Sequence, residues 1–353
     1  MKVALVCPTH LTTFISKEIP QSQPNTQSTL FLDTNPKDIF KTLYTSYRLE
    51  RVLACPVQVT VKEVEKLTFE IPQGMKEILT NKTYRVTVDR RDESEVSSVD
   101  LEKHIGRVLC SQGIDNVHLT RPELVVYGVY ENGDVIFGVD LAGKDLSKRE
   151  YKVFNSNQSI NPIVASSFLD YIPREDDTTL VNPFARDGVI PIELALTATK
   201  KSPHYYSPEF KFQTAGLLSP SEVDSLIEEE NGKIRDTPYN IVSYDRHFRN
   251  VKAHQKNAKI AGVQNSIKCT RFEPEYIDVK FEDKSVDVIY GRPEKPSRHT
   301  PEKKLRRIYH DLFRYGQYCL TNNGSMVFLS QAPHLLLEHA TPWGMVIAQR
   351  DTI

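Results

Sequence analysis

The chain has 353 residues, enough for two or three domains that each bury a core of their own. Its 45 basic and 46 acidic residues leave a net charge of −1, so a nucleic-acid partner would have to meet a local basic face rather than a bulk field. Five scattered cysteines with no Cys-x-x-Cys pair exclude a zinc or disulfide framework, and no apolar run approaches the ~18 residues of a membrane span.

The apolar run at residues 3–6 is too short for a signal segment and reads as a first strand of a soluble, cytosolic α/β protein. Within residues 1–62, strands are predicted over 2–7 and 28–33. Apolar spacing at Ile39, Leu43, Tyr47, Leu49 and Leu53 predicts a helix over 36–53. The polar stretch from Pro20 to Ser28 reads as a loop.

Residues 63–155 look like a second unit. A strand is predicted over 84–88, and Ser97-Ser98-Val99-Asp100-Leu101-Glu102 opens a helix to about 112, with Ser98 and Glu102 near a capping arrangement. Residues 124–130 and 135–140 flank Glu131-Asn132-Gly133-Asp134, the signature of a β-hairpin with an Asn-Gly turn. Residues 146–152 follow as a basic strip.

Residues 156–353 alternate strand and helix, the pattern of a parallel sheet with right-handed crossovers. Strands are predicted at Leu180 and over 241–243, 267–270, 286–290, 325–329 and 343–349; residues 201–238 read as an insertion. The stretch Val181-Asn182-Pro183-Phe184-Ala185-Arg186-Asp187-Gly188 has a strand–turn outline, followed by an amphipathic helix from about Ile190. Such turns hold a cofactor when small residues let the backbone approach it and helix amides point at it. Gly188 suits that task, whereas Arg186 sets a long cation in the turn. Asp245 ends a strand and precedes a helix that Gly262 stops; it is either a ligand-binding acid or an acid complementing the helix N-terminus.

Tyr84-Arg85-Val86, the helix opening at Ser97, Gly113 and Leu146-Ser147-Lys148-Arg149-Glu150-Tyr151 together resemble a THUMP domain. The preceding segment resembles the ferredoxin-like domain found before it. The remainder, with Ser159-Ile160-Asn161-Pro162-Ile163-Val164-Ala165 matching a helix motif, resembles the Rossmann-like catalytic domain of THUMP-containing RNA guanine-N2 methyltransferases. The resemblance implies an α/β fold: ferredoxin-like (1–62) and THUMP (63–155) regions, then a Rossmann-like methyltransferase domain (156–353).

It also implies S-adenosylmethionine as cofactor and tRNA or another structured RNA as partner. Asp245 falls on the family's ribose-binding acid, and Glu273 on the adenine-side acid or a plain surface loop. The family pattern Asp-Pro-x-Cys-Gly-Ser-Gly-Thr aligns with Asn182 to Val189, so Asn182 replaces a carboxylate and Arg186 a glycine. The pattern Asn/Asp-Pro-Pro-Tyr aligns with Arg292, Pro293, Glu294 and Lys295. Arg292 only donates hydrogen bonds and Lys295 cannot stack as an aromatic ring does. The expectation is an RNA-binding protein whose methyl transfer is weak or lost. Two alternatives stay open: an active enzyme with Arg186 and Glu294 in new roles, and a non-catalytic subunit facing a protein partner.

Arg85, Arg90, Arg91, Lys103, Lys148 and Arg149 are the candidate RNA contacts, with Tyr84 and Tyr151 as stacking groups, and Arg246, Arg249, Lys252, Lys256 and Lys259 mark the helix after Asp245 as a second cluster. A solvated charged face is the alternative, since Asp89, Asp92 and Glu93 are interleaved. His104, His118, His247, His254, His299, His310, His334 and His339 show no metal-ligand spacing, so no metal is expected.

Overall fold

The computed structural model describes residues 1–173, 175–298 and 300–351; His299 lies outside the described residues. The chain divides into two compact units. The first comprises Met1–Ser147 and His204–Gly232, and the second comprises Lys148–Pro203 with the remainder from Lys233.

The first unit begins with β1 (Lys2–Val6), α1 (Thr12–Glu18), β2 (Gln23–Pro24), β3 (Thr29–Asp33), α2 (Pro36–Thr45) and β4 (Arg51–Thr60). It continues through α3 (Gln73–Leu79), β5 (Tyr84–Arg90), α4 (Ser98–Ser111), β6 (Leu124–Glu131) and β7 (Asp134–Asp140). One seven-stranded sheet, in the order β2-β3-β1-β4-β7-β6-β5, takes strands from both halves of this region. Only β5 and β6 run parallel. The β6–β7 turn is carried by Asn132 and Gly133, both left-handed (φ 53° and 88°), which is why Asn-Gly specifies it.

The helix expected over 36–53 stops at Thr45. Asn35 caps its start, its side chain accepting from the Asp38 amide, with Pro36 in the first turn. Val52, Leu53 and Ala54 then fill the slot between β1 and β7, so sheet pairing claims residues whose spacing looked helical. The cap of α4 also differs from expectation. Ser97 accepts from Asp100 N, while Glu102 Oε1 accepts from Val88 N on β5 at 2.9 Å.

The second unit starts with α5 (Pro162–Phe168), capped by Asn161, then β8 (Thr179–Asn182) and α6 (Val189–Thr199). The expected amphipathic face of α6 is absent. Nearly every α6 residue is buried, because α5, α9, β9 and β10 surround it. The chain then returns to the first unit for α7 (Lys211–Ala215) and α8 (Pro220–Asn231), where Tyr44 of α2 bonds Asn231 at 2.7 Å and Phe212 packs on Phe40. This is the insertion read from the sequence.

The second unit is completed by β9 (Asn240–Asp245), α9 (Phe248–Ala261), β10 (Ile267–Arg271), α10 (Ile277–Lys280) and β11 (Val286–Gly291). Then follow α11 (Glu302–Cys319), β12 (Leu320–Phe328) and α12 (Pro333–Ala340). Its sheet is parallel throughout, in the order β10-β9-β8-β11-β12, over a core that includes Val181, Val242, Tyr244 and Ile289. No strand forms over 343–349. Thr341–Trp343 is a 3-10 turn, Gly344 follows at φ 72°, and Val346 and Ile347 are exposed.

Candidate functional site

In the parallel sheet, β8 has β9 on one side and β11 on the other, so connections leave it in opposite directions. The crevice at the carboxyl ends of such strands is where α/β folds hold ligands. Asn182 ends β8, Asp245 ends β9 and Gly291 ends β11. Asn182 is fully buried; its Oδ1 accepts from Phe184 N at 2.9 Å, and its Nδ2 has no partner among the described residues. Gly291 has φ 145°, and a Cβ there would stand 2.7 Å from Asn182 Oδ1, so any larger residue would strike the end of β8.

The loop after β8 turns through Arg186, left-handed at φ 50°, and Gly188 at φ 89°. The turn is fixed from β9: Ala185 N donates to Tyr244 O and Arg186 N to Asp245 Oδ2, at 3.1 and 3.0 Å. The other Asp245 oxygen accepts from His247 N and Asn250 Nδ2, at 2.8 and 3.0 Å. Burial pushes the Asp245 carboxyl up, opposed by those three donors.

The Arg186 side chain, 9% exposed with its residue, crosses the crevice. One guanidinium nitrogen bonds the Gln158 side-chain oxygen, and the other donates to Arg292 O at 3.2 Å. Arg292 Nη1 donates to Gln158 O at 3.0 Å. Burial lowers the pKa of Arg186, and the like charge of Arg292 lowers it further. Gln158 was not anticipated as part of this site, and no spacing or residue type marked it. Gly291 did carry a signal, as a glycine directly after an apolar strand.

The remaining expected site residues are placed as follows. Pro293 is buried and Lys295 exposed, while Glu294 offers its backbone oxygen to the Tyr309 hydroxyl. Arg246 gathers the carboxylates of Glu273, Glu275 and Glu294 at 3.6, 3.5 and 3.8 Å, which occupies Glu273 and Glu294 with a protein cation. Gly188 answers to packing: a Cβ there would fall 2.2 Å from Cδ2 of His254. Buried His254 lies 3.1 Å from Cys269 Sγ, and burial drives its pKa down to about 4.

S-adenosylmethionine carries a sulfonium, an ammonium and one carboxylate. The crevice offers it a buried guanidinium, a neutral amide at Asn182, and an acid whose two oxygens already accept from three protein donors. These residues do not fit the cofactor as they stand.

Among the candidate RNA contacts, Arg85, Arg90 and Lys103 are exposed in the first unit. The Arg90 guanidinium donates to Ser94 O and Val96 O, at 2.7 and 3.1 Å, and Lys103 lies 3.6 Å from Asp100. Arg91 is instead engaged with Glu50 and Asp89, at 2.7 and 2.8 Å. In the second unit Lys148 is exposed, but Arg149 is not a surface cation. Its guanidinium is buried on Glu193 of α6 at 3.1 Å, joined there by the hydroxyls of Tyr151 and Ser166 at 2.8 Å each. Tyr84 and Tyr151 are buried as well, so neither ring presents a face to a base; Tyr84 OH donates to Ile114 O. Among the described residues no group of His, Cys, Asp or Glu could hold a metal ion, and no helix is long and apolar enough to cross a membrane.

Comparison with known proteins agrees with this architecture. The chain is 24% identical over 263 residues to the tRNA (guanine(6)-N2)-methyltransferase of Methanocaldococcus jannaschii, covering 72% of this chain and 68% of that one. The fold matches the crystal structure of a predicted N6-adenine-specific DNA methylase from Listeria monocytogenes, with TM-score 0.78, 16% identity and coverage of 99% and 92% of the two chains. It also matches SMU.472 in its complex with SAH, with TM-score 0.76, 14% identity and coverage of 96% and 91%. Residues 149–344, more than half of the chain, match the family model described as RMKL-like, methyltransferase domain, and the chain belongs to that family.

Proposed function

We propose that the chain is an RNA-binding member of the methyltransferase family, with tRNA as the favoured partner, in which methyl transfer is weak or lost. On this reading, residues 1–62 and 63–155 serve as ferredoxin-like and THUMP-like RNA-handling regions, residues 156–353 keep the methyltransferase fold, and the protein works in the cytosol. The tRNA partner follows from the relative that modifies a tRNA guanine. One observation carries the loss of transfer: the Arg186 guanidinium spans the crevice from Gln158 to the Arg292 carbonyl. Fold is inherited more readily than chemistry, and chemistry depends on these few side chains.

The rival reading is an active S-adenosylmethionine-dependent guanine-N2 methyltransferase. Asp245 favours it, as a buried acid at the carboxyl end of β9. Filter binding of bulk tRNA, run beside an assay of labelled methyl incorporation, separates the two. The proposal expects salt-sensitive retention of tRNA and no incorporation. Incorporation above the no-enzyme blank supports the rival. Absence of tRNA retention removes the RNA reading and leaves a subunit that faces a protein partner.

A further inference from the structure

Helix α9 leaves the crevice directly after Asp245 and carries Arg249, Lys252, Lys256 and Lys259. Their spacing of three, four and three residues sets all four on one helical face, and all four are exposed. Ten residues of helix spread these charges over about 15 Å. The helix contains no Asp or Glu, and none of the four cations has an ion pair among the described residues.

The elements packed on α9 do not neutralise this face. Strand β10 adds exposed Lys268 and Arg271 and contains no acid, and residues 153–160 contain none either. The acid of α6, Glu193, is paired inside with Arg149, while Asp245 of β9 and Asp187 beside Asn257 are buried, held by neutral donors and not exposed on this face.

Two aromatic rings stand beside the same cations. Phe248 is 59% exposed with Lys252 Nζ 5.2 Å from its ring centre, and Phe154 is 37% exposed with Lys256 Nζ at 4.5 Å. Phe154 is held in place from within. Buried Asn257 of α9 accepts from its amide and donates to its carbonyl, at 3.0 and 2.9 Å. The buried amide thus fixes the main chain that carries this ring, and the ring itself is partly open to solvent. A row of unpaired cations beside stackable rings complements a single nucleic-acid strand, whose phosphates and bases alternate.

We propose that this face of α9, with Phe154 and Phe248, is the docking surface for single-stranded RNA, with its cations on phosphates and its two rings under bases. The inference rests on the RNA reading above and gives it a location distinct from the cations of the first unit. It also runs the strand toward the crevice mouth, since Phe248 and Arg249 begin the helix there.

Anisotropy of a labelled 12-nucleotide single-stranded RNA, titrated with the full chain across a salt series, tests the proposal. In Lys252→Gln/Lys256→Gln, the slope of log affinity against log salt should shrink by about 0.7 per lysine, with roughly tenfold weaker binding at low salt. Lys252→Arg/Lys256→Arg should keep the native slope, which excludes a folding defect. Phe154→Leu should weaken binding roughly fivefold with the slope unchanged, the mark of lost stacking. Native affinity and slope in both the glutamine and leucine variants would overturn the surface while leaving the RNA reading standing. If the native chain binds neither this RNA nor tRNA, the RNA reading fails and the surface with it.

Discussion

Arg186 combines two costs that a cofactor loop ordinarily avoids. A left-handed backbone costs a non-glycine residue about 1–2 kcal/mol, and a guanidinium taken out of water costs several more. The surroundings offset both: Asp245 holds the amide, and Gln158 and the Arg292 carbonyl hold the guanidinium. On the proposed reading this bonding makes the side chain part of the architecture of the crevice, which a ligand would have to displace.

His254 acts at the same scale but through stability. Its folded pKa of about 4 lies below the ordinary 6.5, so the unfolded chain binds the extra proton first as the pH falls. This contribution is intact above pH ~6.5 and is lost progressively down to pH ~4, amounting to roughly 3 kcal/mol. Urea unfolding at several pH values should show that acid limb, and His254→Gln should flatten it. An unchanged limb in the variant would rule out this histidine as its source.

At the scale of elements, α6 is the least tolerant part of the second unit. It is buried on nearly all sides, yet it carries Glu193, whose carboxylate meets Arg149, Tyr151 and Ser166. Replacing Glu193→Ala strands a buried guanidinium, and chemical denaturation should show a loss of about 3–5 kcal/mol. Arg149→Met combined with Glu193→Leu should lose less than Glu193→Ala alone. Equal losses would mean that the pair matters only as volume. The sequence showed Arg149 as one cation in a basic strip, because its partner lies 44 residues onward and only packing reveals it.

Elements set by local chemistry were legible from sequence, and those set by distant pairing were not. Asn132-Gly133 specified its hairpin and Gly262 its helix stop, each through neighbours in the chain. The first residues of β4, 51–53, were read as the end of a helix because Leu49 and Leu53 also suit helical spacing; only β1 and β7 decide otherwise. The strand expected over 343–349 has the composition for a sheet, yet β12 remains the edge strand among the described residues and the chain after it turns through Thr341–Trp343.

Across the whole molecule, the alternation of strand and helix gave the parallel sheet, and the unequal chemistry of its loops gave the crevice. Asn182, Arg186, Asp245 and Arg292 lie at the carboxyl ends of β8, β9 and β11 and in the loops that follow them. At Gly188 the fold adds a packing constraint that the sequence did not show, since a side chain there would strike His254. Gln158 stayed invisible because its role depends on two guanidiniums that only the fold brings to it. The chain thus keeps a methyltransferase scaffold, and on the proposed reading its own side chains stand where the cofactor would lie.

The direct test is a calorimetric titration of S-adenosylmethionine into the native chain and into Asn182→Asp/Arg186→Gly. The account predicts no heat of binding for the native chain, and micromolar binding, about −8 kcal/mol, once the carboxylate and the open glycine turn are restored. Micromolar binding to the native chain would contradict it, because Arg186 would then share the crevice with the cofactor it is held to exclude.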